Sequence, residues 1–171
     1  TFDDTKPTIT GTTINSANSL VTVTFAEDVY NATGGSGDLQ AADFALSISG
    51  AGASIGAATP TSISKTSQTV WVLGFSTSGV ATASQDIEVV PVLNSIYDAA
   101  DNAAATSQSS VALNEKVLPT LTTVGIASDN ANTDGPWATA GDIITLTVVS
   151  SETNAEPVVT NNSGSVAITD T

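Results

Sequence analysis

Residues 19–30 read SLVTVTFAEDVY, and the rest of the chain is organised around them. Val21, Val23 and Phe25 alternate with Thr22 and Thr24, so one face of the segment is apolar and the other hydroxylated, the pattern of a half-buried antiparallel strand. Glu27 and Asp28 follow Phe25 directly, where the chain leaves the sheet for a loop. The arrangement returns in residues 142–152, DIITLTVVSSE. There Ile144, Leu146 and Val148 take the inward places and Glu152 closes the strand. The expected fold is therefore all-β, two copies of a β-sandwich module with the second incomplete.

A chain of 171 residues holds one or two domains. At 40% hydrophobic it can build a core, and its apolar residues are mainly Val, Ile, Leu and Ala beside abundant Thr and Ser, which favours strands over helices. Almost no helix is expected. Net charge is −14, with 17 acids against Lys6, Lys65 and Lys116. Nucleic-acid binding needs a basic footprint, so that class is set aside, and an acidic membrane surface repels such a chain. The charge suits solubility, divalent cations, or both. There is no Cys, His or Met, which removes disulfides, thiol catalysis, zinc-thiolate sites and the commonest general base. No run approaches the roughly 20 apolar residues of a membrane helix. No signal peptide precedes Thr1, and without an initiating Met the chain reads as a processed product or a fragment.

Pro7 opens a first strand over residues 8–14, and 15–18 form a polar turn before the central strand. Residues 31–38, NATGGSGD, read as an exposed loop without packed structure, and 39–43 as a single helical turn. Strands follow at 44–49, weakly at 53–58, at 69–75 (TVWVLGF, with Trp71, Leu73 and Phe75 on one side), at 86–91 and at 109–113. About eight short strands at this spacing suit a sandwich. Residues 114–120, NEKVLPT, then restart the opening DDTKPT of residues 3–8. Aligning Val21 with Ile144 places extra residues of the second copy in a polar loop at 130–140. Domains are thus expected at 1–116 and 117–171. The second copy has room for strands near 120–127, 143–149, 156–160 and 165–169. Half a sandwich exposes an apolar face and unpaired edges, so either more chain follows or another subunit completes the fold.

Several of these segments together resemble bacterial immunoglobulin-like (Big/SwmB-type) tandem repeats of large secreted or surface proteins, adhesins and S-layer-associated proteins among them. They are the Asp-x-x-Lys-Pro-Thr opening at Asp3, the Val-Thr-Val-Thr-Phe-x-Glu strand at Val21, Ala42-Asp43-Phe44 and the loop IYDAADN at 96–102. The resemblance covers residues 3–113, and residues 118–171 are similar to the front half of a related repeat type, marked by IASDNAN at 126–132 and Ala140-Gly141-Asp142. It implies an immunoglobulin-like sandwich at the cell surface or outside the cell. Asp101 stands where the family usually places Gly, a departure from its tight turn that adds a carboxylate.

The sharpest chemical expectation is calcium, which takes six to eight oxygen ligands. The ends of different strands can converge at one pole of a sandwich, which brings Asp3, Asp4, Glu27, Asp28, Asp98, Asp101 and Asn102 into consideration. Glu115, Asp129, Asp142 and Glu152 offer a similar interdomain set in the second copy. The bland reading is solvated loop acids, and no EF-hand loop or Gly-rich nonapeptide repeat sharpens the case. Lys6, Lys65 and Lys116 lie outside apolar strand patterns and read as solubilising rather than as isopeptide donors. Asn31 and Asn161 head N-glycosylation sequons. Trp71 reads as core, whereas Trp137, after Gly135-Pro136, is a candidate contact for sugar or protein. Catalysis is not expected: no His activates the many hydroxyls, and glycoside hydrolysis needs a larger, aromatic-lined cleft.

The expected role is a stalk or spacer in an extracellular protein, with neighbouring repeats as partners and calcium stiffening its joints. Two alternatives stand beside it. One is a filament subunit completed by strand exchange between identical subunits, with residues 1–14 as donor. The other is a module that binds surface glycans through residues 31–38 or Trp137.

Overall fold

The computed structural model describes residues 3–107, 109–130, 138 and 141–152. Trp137, Asn161 and the strands expected at 156–160 and 165–169 lie outside the described residues. The chain divides into two compact units, Thr1–Val117 and Leu118–Thr171.

Among its described residues unit 1 contains nine strands: β1 (Ile9–Ile14), β2 (Leu20–Phe25), β3 (Phe44–Ile48), β4 (Ser54–Ile55), β5 (Ser62–Lys65), β6 (Val70–Gly74), β7 (Thr77–Ser78), β8 (Asp86–Pro91) and β9 (Ser109–Ala112). A single 3-10 turn, Ala41–Asp43, precedes β3, its start closed by the Asp43 carboxylate on the Gln40 N–H. Unit 2 contributes β10 (Leu121–Ser128) and β11 (Ile144–Ser150). All pairings among the described residues are antiparallel. The larger sheets of unit 1 run β1-β2-β6-β5 and β3-β8-β9, and β4 pairs with β7.

These two sheets bury one core between them. β2 supplies Val21, Val23 and Phe25, β6 supplies Trp71 and Leu73, β3 supplies Phe44 and Leu46, and β8 supplies Ile87 and Val89, all buried. Each such side chain contributes about 1.5–3 kcal/mol by leaving water. Phe25 and Phe44 meet across the sheets with ring centroids 6.3 Å apart, tilted by 50°. Along one margin the Thr12 hydroxyl donates to the Ser110 carbonyl at 3.0 Å, tying β1 to β9. The fully buried Gln85 amide bolts the connecting loops down: it accepts from Ala53 N–H (2.8 Å) and donates to Ala53 O (2.7 Å). Gly52 makes room for this amide, since a Cβ there would lie 2.6 Å from Gln85 Oε1.

The hairpin of unit 2 copies the first hairpin down to its irregularity. Pairing shifts by a bulge between Ile9 and Gly11 on β1, and between Leu121 and Thr123 on β10. The hydroxyl of the bulged residue bonds across each time, Thr10 to Thr24 O (3.2 Å) and Thr122 to Val149 O (3.1 Å). Ala26 N–H donates to Thr8 O (2.9 Å), and Ser151 N–H to Thr120 O (2.8 Å). This register pairs Val21 with Leu146, Val23 with Val148 and Glu27 with Glu152, which corrects the alignment of Val21 with Ile144 expected from the sequence. The spacing misled because β10 and β11 stay paired to Ser128 and Ile144, beyond the point where unit 1 turns at Asn15. Leu146 and Val148 hold the inward register but remain 44% and 38% exposed, against 0% for Val21 and Val23.

Candidate functional site

One pole of unit 1 gathers the start of β1, the end of β2 and the β8–β9 loop. Ile96, wholly buried, anchors that loop, and Tyr97 exchanges two backbone hydrogen bonds with Tyr30, each 2.8 Å. Ala104 N–H donates to Ile96 O (2.8 Å) and Ala105 N–H to Pro7 O (3.0 Å), so the loop is stitched to the segment that leads into β1. As a result the carboxylates of Asp3, Glu27 and Asp98 each place an oxygen within 4.8 Å of the others.

The three acids are held differently. Asp98 is 1% exposed, yet its oxygens accept N–H groups of Ala100 and Asn102 and the Asn102 side-chain amide, all at 2.8 Å. The Asn102 amide also donates to Asp3 O at 3.1 Å. Asp3 is exposed, and its carboxylate accepts Thr5 N–H at 3.0 Å. Glu27, half-buried, has no such donors among the described residues: burial, then the charge of Asp98, then that of Asp3 push its carboxyl above the ordinary glutamate value. At neutral pH the pole therefore holds negative charge that the folded chain accommodates at a cost.

Of the seven residues expected to bind calcium, the fold brings these three acids together with Asn102 as a stitch between two of them. Asp4 and Asp28 are exposed and outside the group. Asp101 takes another role. It keeps the left-handed backbone expected of Gly, with φ 70°, and its carboxylate accepts the Gly34 N–H. Short polar side chains tolerate that region, which explains how an Asp closes this turn. Residues 31–38 are correspondingly not structureless. Ala32 N–H bonds Ser36 O at 3.2 Å, and the half-buried Asn31 turns its amide oxygen toward Gly37, whose φ of +84° and missing Cβ make room for it.

In unit 2 the expected acids separate. Asp129 accepts Ile143 N–H at 2.7 Å, at the turn end of the β10–β11 hairpin, while Glu152 follows the other end of β11. A strand of eight residues, about 25 Å, lies between those ends. They do not share one site. Glu115 and Glu152 instead occupy the repeat positions of Asp3 and Glu27.

Sequence reading did not single out the clamp at the opposite pole. Asn18 is 4% exposed and left-handed at φ 53°, and it bonds Asn114 twice through the backbone, to its O at 2.6 Å and from its N–H at 2.9 Å. Lys116 N–H donates to Ala81 O (2.9 Å) and its ammonium to Ser16 O (2.7 Å). The segment leaving β9 is thereby fixed to unit 1. Lys65 bridges Asp38 at 2.6 Å and lies 5.6 Å from the centre of the Trp71 ring.

No family model matches the chain, and no curated protein does. Among solved structures the chain is similar to the N-terminal part of the bacterial S-layer protein SbsC, at 17% identity and a TM-score of 0.47 over 86% of this chain. It spans 42% of that structure, a likeness too loose to carry the properties of that protein across.

Proposed function

We propose that the chain is a structural module, a stretch of tandem immunoglobulin-like repeats serving as a stalk or spacer in an extracellular surface protein. The observation that carries this reading is the copied hairpin, with the same bulge, the same Thr hydroxyl bond and the same closing backbone bond in both units. Repetition at this level of detail marks a repeated unit, and arrays of such units are extended structural elements. The clamp on Asn114 and Lys116 supports it, because a spacer needs each unit to hold its own exit segment firmly. The immunoglobulin-like assignment is supported by strand order: β1-β2-β6-β5 against β3-β8-β9 corresponds to the ABED and CFG sheets of constant-type domains, with β4–β7 added.

Light scattering of the 171-residue chain tests the reading. A monomer that also leaves a glycan array unmarked is expected. Polymers would replace the stalk with a filament subunit, and saturable glycan binding would replace it with an adhesive module. Against residues 1–14 as an exchanged donor, β1 is already paired with β2 in its own unit.

A second reading, calcium at the Asp3, Glu27 and Asp98 pole, is favoured by the convergence of three carboxylates there and by the raised pKa of Glu27 among them. An all-oxygen set suits a hard cation. Calorimetric titration with calcium chloride tests it: saturable heat that E27Q abolishes is expected, and equal heats with both proteins would remove the metal from the proposal.

A further inference from the structure

We infer that residues 113–116 form a tension strap, which ties the exit segment of unit 1 to the β1–β2 turn so that a pull along the chain must break this tie before the core yields. The inference rests on the stalk reading above and adds where such a stalk holds its load.

Four contacts show that β1 and the chain from Ala105 through β9 run side by side in the same direction. Ala105 N–H donates to Pro7 O at 3.0 Å, and the Thr12 hydroxyl donates to Ser110 O at 3.0 Å. Farther along, the Asn114 side-chain amide donates to Asn15 O at 3.0 Å and the Lys116 ammonium to Ser16 O at 2.7 Å. The chain enters β1 from Pro7, at the acidic pole, and leaves the strap at Lys116, at the opposite one. A pull on the two ends of unit 1 therefore drags β1 and β9 past each other, and contacts arranged in this way are sheared together rather than unzipped one after another.

The resistance to that shear is concentrated at the exit. Among the described residues β1 and β9 share no ladder: β1 belongs to the β1-β2-β6-β5 sheet and β9 to the β3-β8-β9 sheet. Between these strands the described side-chain ties come from Thr12, whose hydroxyl meets Ser110 O at 3.0 Å and the Ser109 hydroxyl at 3.3 Å. Beyond Ala112 the bonds multiply. The Asn18 carboxamide acts as a substitute strand, donating to Asn114 O (2.6 Å) and accepting Asn114 N–H (2.9 Å), and the Asn114 amide donates back to Asn18 Oδ1 (3.0 Å). Asn18 is 4% exposed and Leu113 3%, so water is kept from replacing these bonds until the strap has lifted. Leu113 N–H on Gln85 O (2.8 Å) and Lys116 N–H on Ala81 O (2.9 Å) fix the other side. The strap is thus held between the β1–β2 turn and the 81–85 loop.

Single-molecule force spectroscopy on the full chain tests the strap, and a sequence without Cys lets engineered thiols serve as handles. Handles at Thr5→Cys and Val117→Cys pull through the strap. Handles at Thr5→Cys and Thr59→Cys, the latter an exposed site between β4 and β5, load unit 1 without it. N18G deletes the carboxamide and suits the left-handed backbone that Asn18 holds at φ 53°. At constant force it should shorten the lifetime of unit 1 about fivefold to thirtyfold in the first geometry, the equivalent of one or two lost hydrogen bonds. In the second geometry the lifetime should not change, because a lost bond speeds unfolding only where that bond breaks on the way to the barrier. K116A removes one exposed bond and leaves the core untouched, so it should shorten the lifetime less, again only in the first geometry. Equal shortening in both geometries would reduce the strap to an ordinary stabilising contact and overturn the inference. No shortening by either variant in the first geometry would also overturn it, by placing the resistance elsewhere. Light scattering and the glycan array judge the stalk reading, so either idea can fail without the other.

Discussion

Val23 and Val148 take matching register positions in the two bulged hairpins but differ in environment, and truncating each to Ala measures what covers them. Val23 is fully buried, so V23A forfeits two methyl groups at about 0.8 kcal/mol each, and the cavity left behind raises the loss to about 2–3 kcal/mol. Val148 is already 38% exposed and has room to relax, so V148A costs about 0.5–1 kcal/mol. The drop in strand propensity is common to both sites and cancels in the comparison. Native-state hydrogen exchange gives both numbers from one experiment, read at the β2–β6 amides for V23A and at the β10–β11 amides for V148A. A gap of about 1.5–2 kcal/mol is expected. Equal costs in the free chain would refute the reasoning, because the hairpin face would then be covered in solution.

E27Q should stabilise the chain at neutral pH. The folded Glu27 pKa lies above its unfolded value, so the folded state holds the proton more tightly and loses stability as pH rises through the interval between the two values. The gain from E27Q, solvent-screened and under about 1 kcal/mol, should therefore appear above that interval and vanish below the ordinary glutamate range in thermal melts at stepped pH. Q85A leaves the Ala53 N–H and O without their partner and should cost about 2–4 kcal/mol by urea unfolding; a loss under about 1 kcal/mol would mean that water replaces the amide. D101G keeps the turn but drops the acceptor of Gly34, so Gly34 should exchange faster, whereas D101N should restore protection; identical exchange in the two variants would deny Asp101 its role in holding residues 31–38.

Much of unit 1 was legible because its inward strands are short runs of β-branched and aromatic residues at period two. β2, β3, β6 and β8 all announce themselves in this way, and the turn before β3 is marked by Ala42-Asp43-Phe44. β5 was not legible. Its residues SISK put only Ile63 toward the core, and an edge strand flanked by polar neighbours has no alternation to detect. β7, at two residues, is too short to carry a period. The carboxylate group was legible only as a list of loop acids. Asp3 and Asp98 are joined by hydrogen bonds through Asn102, and no local spacing distinguishes Asp98 from Asp28, or Glu27 from Asp4.

The sequence by itself determined that this is a β protein, because strand periodicity is a property of neighbouring residues along the chain. It also determined the acidity, 17 acids against three lysines. Only the tertiary structure decided which repeat positions correspond, since a bulge and the length of pairing fix register while spacing along the chain does not. Only the tertiary structure, too, decided which acids meet and which apolar face stays wet. Similar alternation accompanies a buried Val23, which lies between β1 and β6, and a Val148 that is 38% exposed.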